Sequence, residues 1–148
     1  MKKLLLVSLA LILFISCEQE QRYFAESAET KALEAGIAAY ESGDWDQWRS
    51  HFADTAKIFV NSSKSISLDE RLNDLKANIS NLSSYGFDKE GSYIEMVLDK
   101  DTETWVYFWA EHSMTLAANN KKIVFPVQLA VRVESGEIIE EHVNYDGT

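Results

Sequence analysis

Residues 103–118 read ETWVYFWAEHSMTLAA, and residues 121–134 read KKIVFPVQLAVRVE. In the second segment Ile123, Phe125, Val127, Leu129, Val131 and Val133 alternate with Val124, Pro126, Gln128, Ala130 and Arg132. A period of two places the first set on one face of a β-strand, toward a core. The first segment is apolar on both faces: Trp105, Tyr107 and Trp109 alternate with Val106, Phe108, Met114 and Leu116. A strand of that kind is covered on both sides. Helices supply one cover, and a second subunit would supply the other. Residues 87–98 and 137–146 share the β-rich composition. Asp99-Lys100-Asp101, Asn119-Asn120 and Ser135-Gly136 separate the segments and predict antiparallel hairpins. Pro126 cannot donate to a ladder and predicts a bulge or bend.

Upstream of Gly86 the period is helical. Leu33, Gly36, Ile37 and Tyr40 form one stripe, with Ser27 as N-cap and Ser42-Gly43 as the stop. Gly36 on that stripe predicts a close approach by another element. Asp44 caps a shorter helix carrying Trp45, Trp48 and Phe52 on one face, and Ala56 to Val60 reads as a short strand. Ser67-Leu68-Asp69-Glu70 is a capping box. Leu68, Leu72, Leu75, Ile79 and Leu82 then follow helical spacing until Tyr85-Gly86. The expected class is α+β, with N-terminal helices packed on a strongly bent antiparallel sheet.

The chain has 148 residues, one domain's worth, with 26% charged and 46% apolar residues. Its formal net charge of −10 repels a phosphate backbone, so no nucleic acid is expected as a partner. Met1-Lys2-Lys3 precedes an apolar run from Leu4 to Ile15. About 12 helical residues rise ~18 Å, short of a ~30 Å hydrocarbon core, so the run reads as a signal peptide. Ser16-Cys17 resembles a bacterial lipobox, with Phe14 where leucine is usual and Leu13 beside it. Cys17 is the single cysteine, which leaves no disulfide, zinc–thiolate or thiol nucleophile for the rest of the chain. On this reading residues 1–16 are a lipoprotein signal peptide, 17–27 a tether and 28–148 the folded domain. The protein would be exported and anchored to a bacterial membrane through lipidated Cys17. Tyr23 and Phe24 in the tether have docking onto the domain as their alternative.

Gly43-Asp44-Trp45-Asp46 through Phe52-Ala53-Asp54, Trp105 to Trp109, and the close Gly136 to His142 with Tyr145-Asp146 occur in an order and spacing that resembles the nuclear-transport-factor-2-like superfamily, in its SnoaL-like, polyketide-cyclase-like branch. The resemblance covers about residues 28–146, with Glu137 where a lysine is common. It implies a cone-shaped fold, a pocket between the concave sheet and the helices, and often a homodimer through the sheet. It leaves the activity open, because the fold hosts enzymes and binders alike. Isomerases of this fold carry a base aspartate on the first strand or a later one, whereas the first strand here ends Phe59-Val60-Asn61.

No HExxH, GxSxG, phosphate loop or CxxC is present, and neither cofactor nor metal is implied. His51 reads as a surface residue. His112, among Phe108, Ala110 and Met114, is a satisfied core histidine or a pocket acid/base. Strict alternation puts His142 in a row with Ile138, Glu140, Asn144 and Asp146, able to line the pocket and move a proton. A bulge would turn Tyr145 inward instead. The catalytic candidates are therefore His142, His112 and Asp146, and the ligand-pocket candidates are Trp48, Trp109 and Tyr145. A metal on the catalytic trio would lack any spacing signature. Glu134/Glu137 and Glu140/Glu141 read as a solvated edge. Three functions stay open: a pocket binding a small apolar or aromatic molecule, an acid/base enzyme on a small hydrophobic substrate, and a dimerising assembly module.

Overall fold

The computed structural model describes residues 20–146. A two-residue strand opens the order, three helices interrupted by one long strand come next, and five further strands follow. The elements are β1 (Tyr23–Phe24), α1 (Ala28–Ser42), α2 (Trp45–Arg49), β2 (Phe52–Val60), α3 (Leu68–Ile79), β3 (Leu82–Phe87), β4 (Tyr93–Leu98), β5 (Thr104–Leu116), β6 (Lys122–Glu134) and β7 (Glu137–Tyr145). One seven-stranded sheet runs β1-β4-β5-β6-β7-β2, with β3 pairing β5 off this path. The helices cover its concave face, α1 against β3, β4 and β5, and α3 against β2 and β3.

The helix signals hold where capping chemistry sets them. Ser27 and Thr30 exchange side chain and backbone bonds at the start of α1. Gly43 closes α1 at φ 70°, a left-handed conformation that glycine adopts without a Cβ penalty. Ser67 and Glu70 form the second box, at α3. Gly36 admits the His51 ring, which would lie 3.5 Å from an added Cβ. This is the close approach expected at that glycine, and His51 is half-buried there rather than on the surface.

Several expectations are corrected. The sheet is mixed: β2 pairs in parallel with β7, from Phe52↔Ile138 to Val60↔Val143. β2 begins at Phe52, so that residue belongs to the strand and not to the preceding helix. α3 stops at Ile79, and Leu82 opens β3 opposite Leu116. The three-residue step from Ile79 to Leu82 fits a helix, but pairing with β5 supplies the strand with a hydrogen-bonded partner. The 87–98 segment splits into the end of β3, a turn, and β4. Pro126 makes no bulge: β5 and β6 pair without a break from Thr104↔Val133 to Thr115↔Lys122. β7 pairs with β6 only as far as Val127, so Pro126 sits where β6 becomes an edge. The bulge lies in β7 instead. Ile138 pairs with Val133 and Glu140 with Arg132, leaving Ile139 as the extra residue. Tyr23 and Phe24 dock, pairing with Val97 and Met96, and Arg22 donates to the Asp99 carbonyl at 2.6 Å. Cys17 and the signal segment lie outside the described residues.

The core runs along the concave face, with Ile58, Leu68, Val106 and Val131 fully buried. Among the described residues no helix is long and apolar enough to cross a membrane.

Candidate functional site

Between the concave sheet and the helices lies a cavity of about 930 Å³. α1 contributes Leu33, Gly36, Ile37 and Tyr40, and α3 contributes Arg71, Leu75, Asn78 and Ile79. The inward rows of β5, β6 and β7 supply the opposite wall, including His112, Phe125, Leu129 and Glu141. Volume and apolar lining are those of a site for a drug-sized molecule.

Two polar pairs interrupt that lining. The Tyr40 hydroxyl lies 3.0 Å from His112 Nε2. The His112 ring packs between Phe87, 4.9 Å away edge-on, and Phe125 at 5.3 Å. Burial in this aromatic nest lowers the His112 pKa, and the distant Glu41 charge opposes that only in part. Burial also pushes the Tyr40 hydroxyl up to about 12, with Tyr85 adding to the effect and Arg71 opposing it.

The second pair is Arg71 on α3 and Glu141 on β7, with Nε 3.6 Å from Oε2. That is ion-pair distance, too long for a hydrogen bond. Their side chains are 13% and 6% exposed. Burial raises the Glu141 pKa; Arg71 first, and then His142, pull it back. Arg71 Nε, Glu141 Oε2 and His112 Nδ1 are buried without a hydrogen-bond partner among the described residues, and all three residues line the cavity. Glu141 is therefore an interior group rather than part of a solvated edge.

The β7 bulge decides which residues face inward. Glu141 pairs with Val131, which pairs with Val106, both fully buried. His142 pairs with Ala130, which pairs with Tyr107, on the convex face. His112 and His142 thus lie on opposite faces, and the expected trio does not converge. Asp146 and Tyr145 reach the cavity lining, with Tyr145 38% exposed and its ring 5.6 Å from Phe125. Trp48 also lines the cavity and packs on Phe52 at 4.5 Å. Trp109 does not; it stacks with Tyr107 on the convex face, at 5.7 Å and 14°. His142 stacks on Phe59 at 4.6 Å and 5° and lies 2.8 Å from Glu140. Arg132 links Glu140 to Glu103, at 3.4 and 2.7 Å. Among the described residues no three His, Cys, Asp or Glu side chains are grouped as metal ligands would be.

Sequence reasoning missed Glu141 and Arg71. The signal for Glu141 was the spacing of Ile138 and Val143: five residues is an odd step, so strict alternation cannot bury both. Arg71 carried no signal, since a lone arginine beside a helix stripe reads as solvated.

No protein-family model and no curated protein sequence matches this chain. Solved structures do match. A proposed polyketide cyclase from Xanthomonas campestris pv. campestris superposes with a TM-score of 0.65 at 15% identity, covering 80% of this chain and 90% of that one. A proposed SnoaL-like polyketide cyclase from Jannaschia sp. CCS1 gives 0.63 at 11%, covering 82% and 88%. A protein with a ketosteroid isomerase-like fold from Catenulispora acidiphila DSM 44928, solved with trimethylamine, gives 0.61 at 14%, covering 79% and 86%. With a mixed, curled sheet closed by helices over an apolar cavity, the chain has the α+β cone fold of SnoaL-like and ketosteroid isomerase-like proteins.

Proposed function

We propose that this chain is a binding domain for a small, largely apolar molecule held in the cone's cavity, and that Cys17 tethers it to a membrane. The observation that carries the binding reading is the cavity itself: about 930 Å³, with apolar walls and three buried polar atoms left without hydrogen bonds among the described residues. Buried polar groups are normally paired, so unpaired ones in a cavity wall mark positions for a ligand's polar atoms. The neutral fluorophore N-phenyl-1-naphthylamine tests this. The full chain should bind it at one site, and Met114→Trp, which narrows the cavity, should abolish binding while circular dichroism stays unchanged. No binding, or undiminished binding to the variant, refutes the reading.

The tether rests on the lipobox-like Phe14 to Cys17. Arg22 to Phe24 is tied to β4, so about five residues, reaching at most ~17 Å, would link the lipid to the sheet edge. Cys17→Ser should release the protein from the membrane fraction. Mature protein without an acyl mass at Cys17 would end this reading.

An acid/base enzyme is the second reading, favoured by one observation: Glu141, interior and with a raised pKa, faces the cavity. The assembly reading rests on the convex face, where Trp105, Tyr107 and Trp109 stack in a partly exposed ladder. A second copy of the chain is proposed to cover it.

A further inference from the structure

We propose that the cavity is selective for an amphipathic monocarboxylate, with its carboxylate on the Arg71 guanidinium and its apolar body against the α1 and β6 walls. This rests on the binding reading and names its ligand class.

Arg71 stands apart from every other arginine among the described residues. Arg22 donates to the Asp99 carbonyl, Arg49 to Asp54 and Asp69, and Arg132 to Glu103 and Glu140. Each of these is more exposed than Arg71 and each has an acceptor, although the Arg132 Nε, like that of Arg71, is buried without one. Among the described residues no hydrogen bond from the Arg71 side chain, 13% exposed, is found; its buried Nε has no partner, and Glu141 stands 3.6 Å from it. A guanidinium keeps its charge and offers five donors in a planar fork. Left buried without acceptors, that fork is costly; a carboxylate fits it with two parallel hydrogen bonds.

Charge around the cavity points the same way. Its charged lining residues are Arg71, Lys121, Lys122, Glu141 and Asp146. Cations lead there, in a chain with 14 Lys and Arg against 24 Asp and Glu. Lys121 and Lys122 are exposed at the β5–β6 turn, where they can steer an anion inward. Burial works against the charged form of Glu141, which weakens its opposition to an anion at Arg71. A dianionic phosphate suits the site less well, because one guanidinium would face two charges with Glu141 close by. The walls beyond Arg71, with Leu33, Ile37, Leu75, Val127 and Leu129, take an apolar body.

The test uses 2-naphthoate and its neutral isostere 2-naphthamide, titrated calorimetrically into the full chain. The acid should bind about tenfold tighter or more, the margin of a charge-assisted hydrogen bond. Arg71→Gln should bring the acid down to the amide's level and cost the amide far less. Lys121→Gln with Lys122→Gln should weaken the acid less and flatten its salt dependence. If Arg71→Gln does not fold with Glu141 left unpaired, the double variant Arg71→Gln/Glu141→Gln removes that charge. It should bind the amide and show no preference for the acid. Equal or tighter binding of the amide to the wild type, or an acid preference that survives loss of Arg71, overturns the proposal while the binding reading stands. Failure of both compounds and of N-phenyl-1-naphthylamine overturns both.

Discussion

Replacing Tyr40 by Phe removes one oxygen from the cavity wall. That oxygen is the partner of His112 Nε2 at 3.0 Å, and His112 Nδ1 already has none. The variant therefore leaves a buried imidazole with no hydrogen bond. The cost of stranding one buried polar group is about 1–3 kcal/mol. For a domain of this size that lowers Tm by roughly 4–12 °C. His112→Phe strands the Tyr40 hydroxyl instead and should cost a similar amount, since a phenyl ring fits beside Phe87 and Phe125. The double variant replaces both partners by apolar groups of like shape and should lie near wild type. The cycle, measured by urea denaturation, should give a coupling of about 1–3 kcal/mol. Acid pH supplies an independent check. The folded-state pKa of His112 lies below its ordinary value of 6.5. Its contribution is present above 6.5 and is lost as pH falls through the lowered folded value. His112→Phe should flatten that acid limb, and Tyr40→Phe should not. Costs that add to within ~0.5 kcal/mol, or an acid limb unchanged in His112→Phe, would refute the pairing.

Three further outcomes follow. The pKa of Glu141 is raised, so its contribution to stability is fully present below the unfolded carboxylate value and is lost as pH rises through the folded one. Glu141→Gln should gain on wild type as pH climbs from acid toward neutral, and a gap that ignores pH would contradict the buried placement. His142→Ala should spare binding of N-phenyl-1-naphthylamine while losing the contacts to Phe59 and Glu140, and a fall in probe affinity would contradict the convex placement. Sedimentation of the chain with Cys17→Ser should give twice the monomer mass, and Trp109→Glu should return it to one; a concentration-independent monomer sinks the second-copy proposal.

Local chemistry was legible in the sequence and long-range pairing was not. Ser27, Gly43, Ser67 and Glu70 satisfy backbone groups within a few residues, so their roles can be read from neighbours alone. The β5–β6 alternation was equally readable, because each residue's face depends only on parity. The parallel pairing of β2 with β7 joins segments some 80 residues apart and leaves no local mark. The end of α3 was ambiguous because Ile79 and Leu82 suit a helix, while the hydrogen bonds that settle it come from β5. Glu141 was lost through parity itself: one residue added at Ile139 reverses every face after it.

That reversal separates two kinds of polar cluster. On the convex face Glu103, Arg132, Glu140 and His142 form a chain of contacts at 2.7 to 3.4 Å. Such a network pairs its members with one another across β5, β6 and β7, with the Arg132 Nε alone of its polar atoms buried and unmatched among the described residues. On the concave face Arg71, Glu141 and His112 each leave a buried polar atom unmatched. A fold can remove such a cost by substituting apolar residues, and the neighbouring Val106, Val131 and Leu129 show that this wall accepts them. Three of the four buried unmatched atoms among the described residues thus lie at the cavity, which supports placing a ligand's polar groups inside the cone. The extra residue in β7 is the device that puts an acid there: without it the same strand would present Glu140 and His142 to the cavity and turn Glu141 to the convex surface.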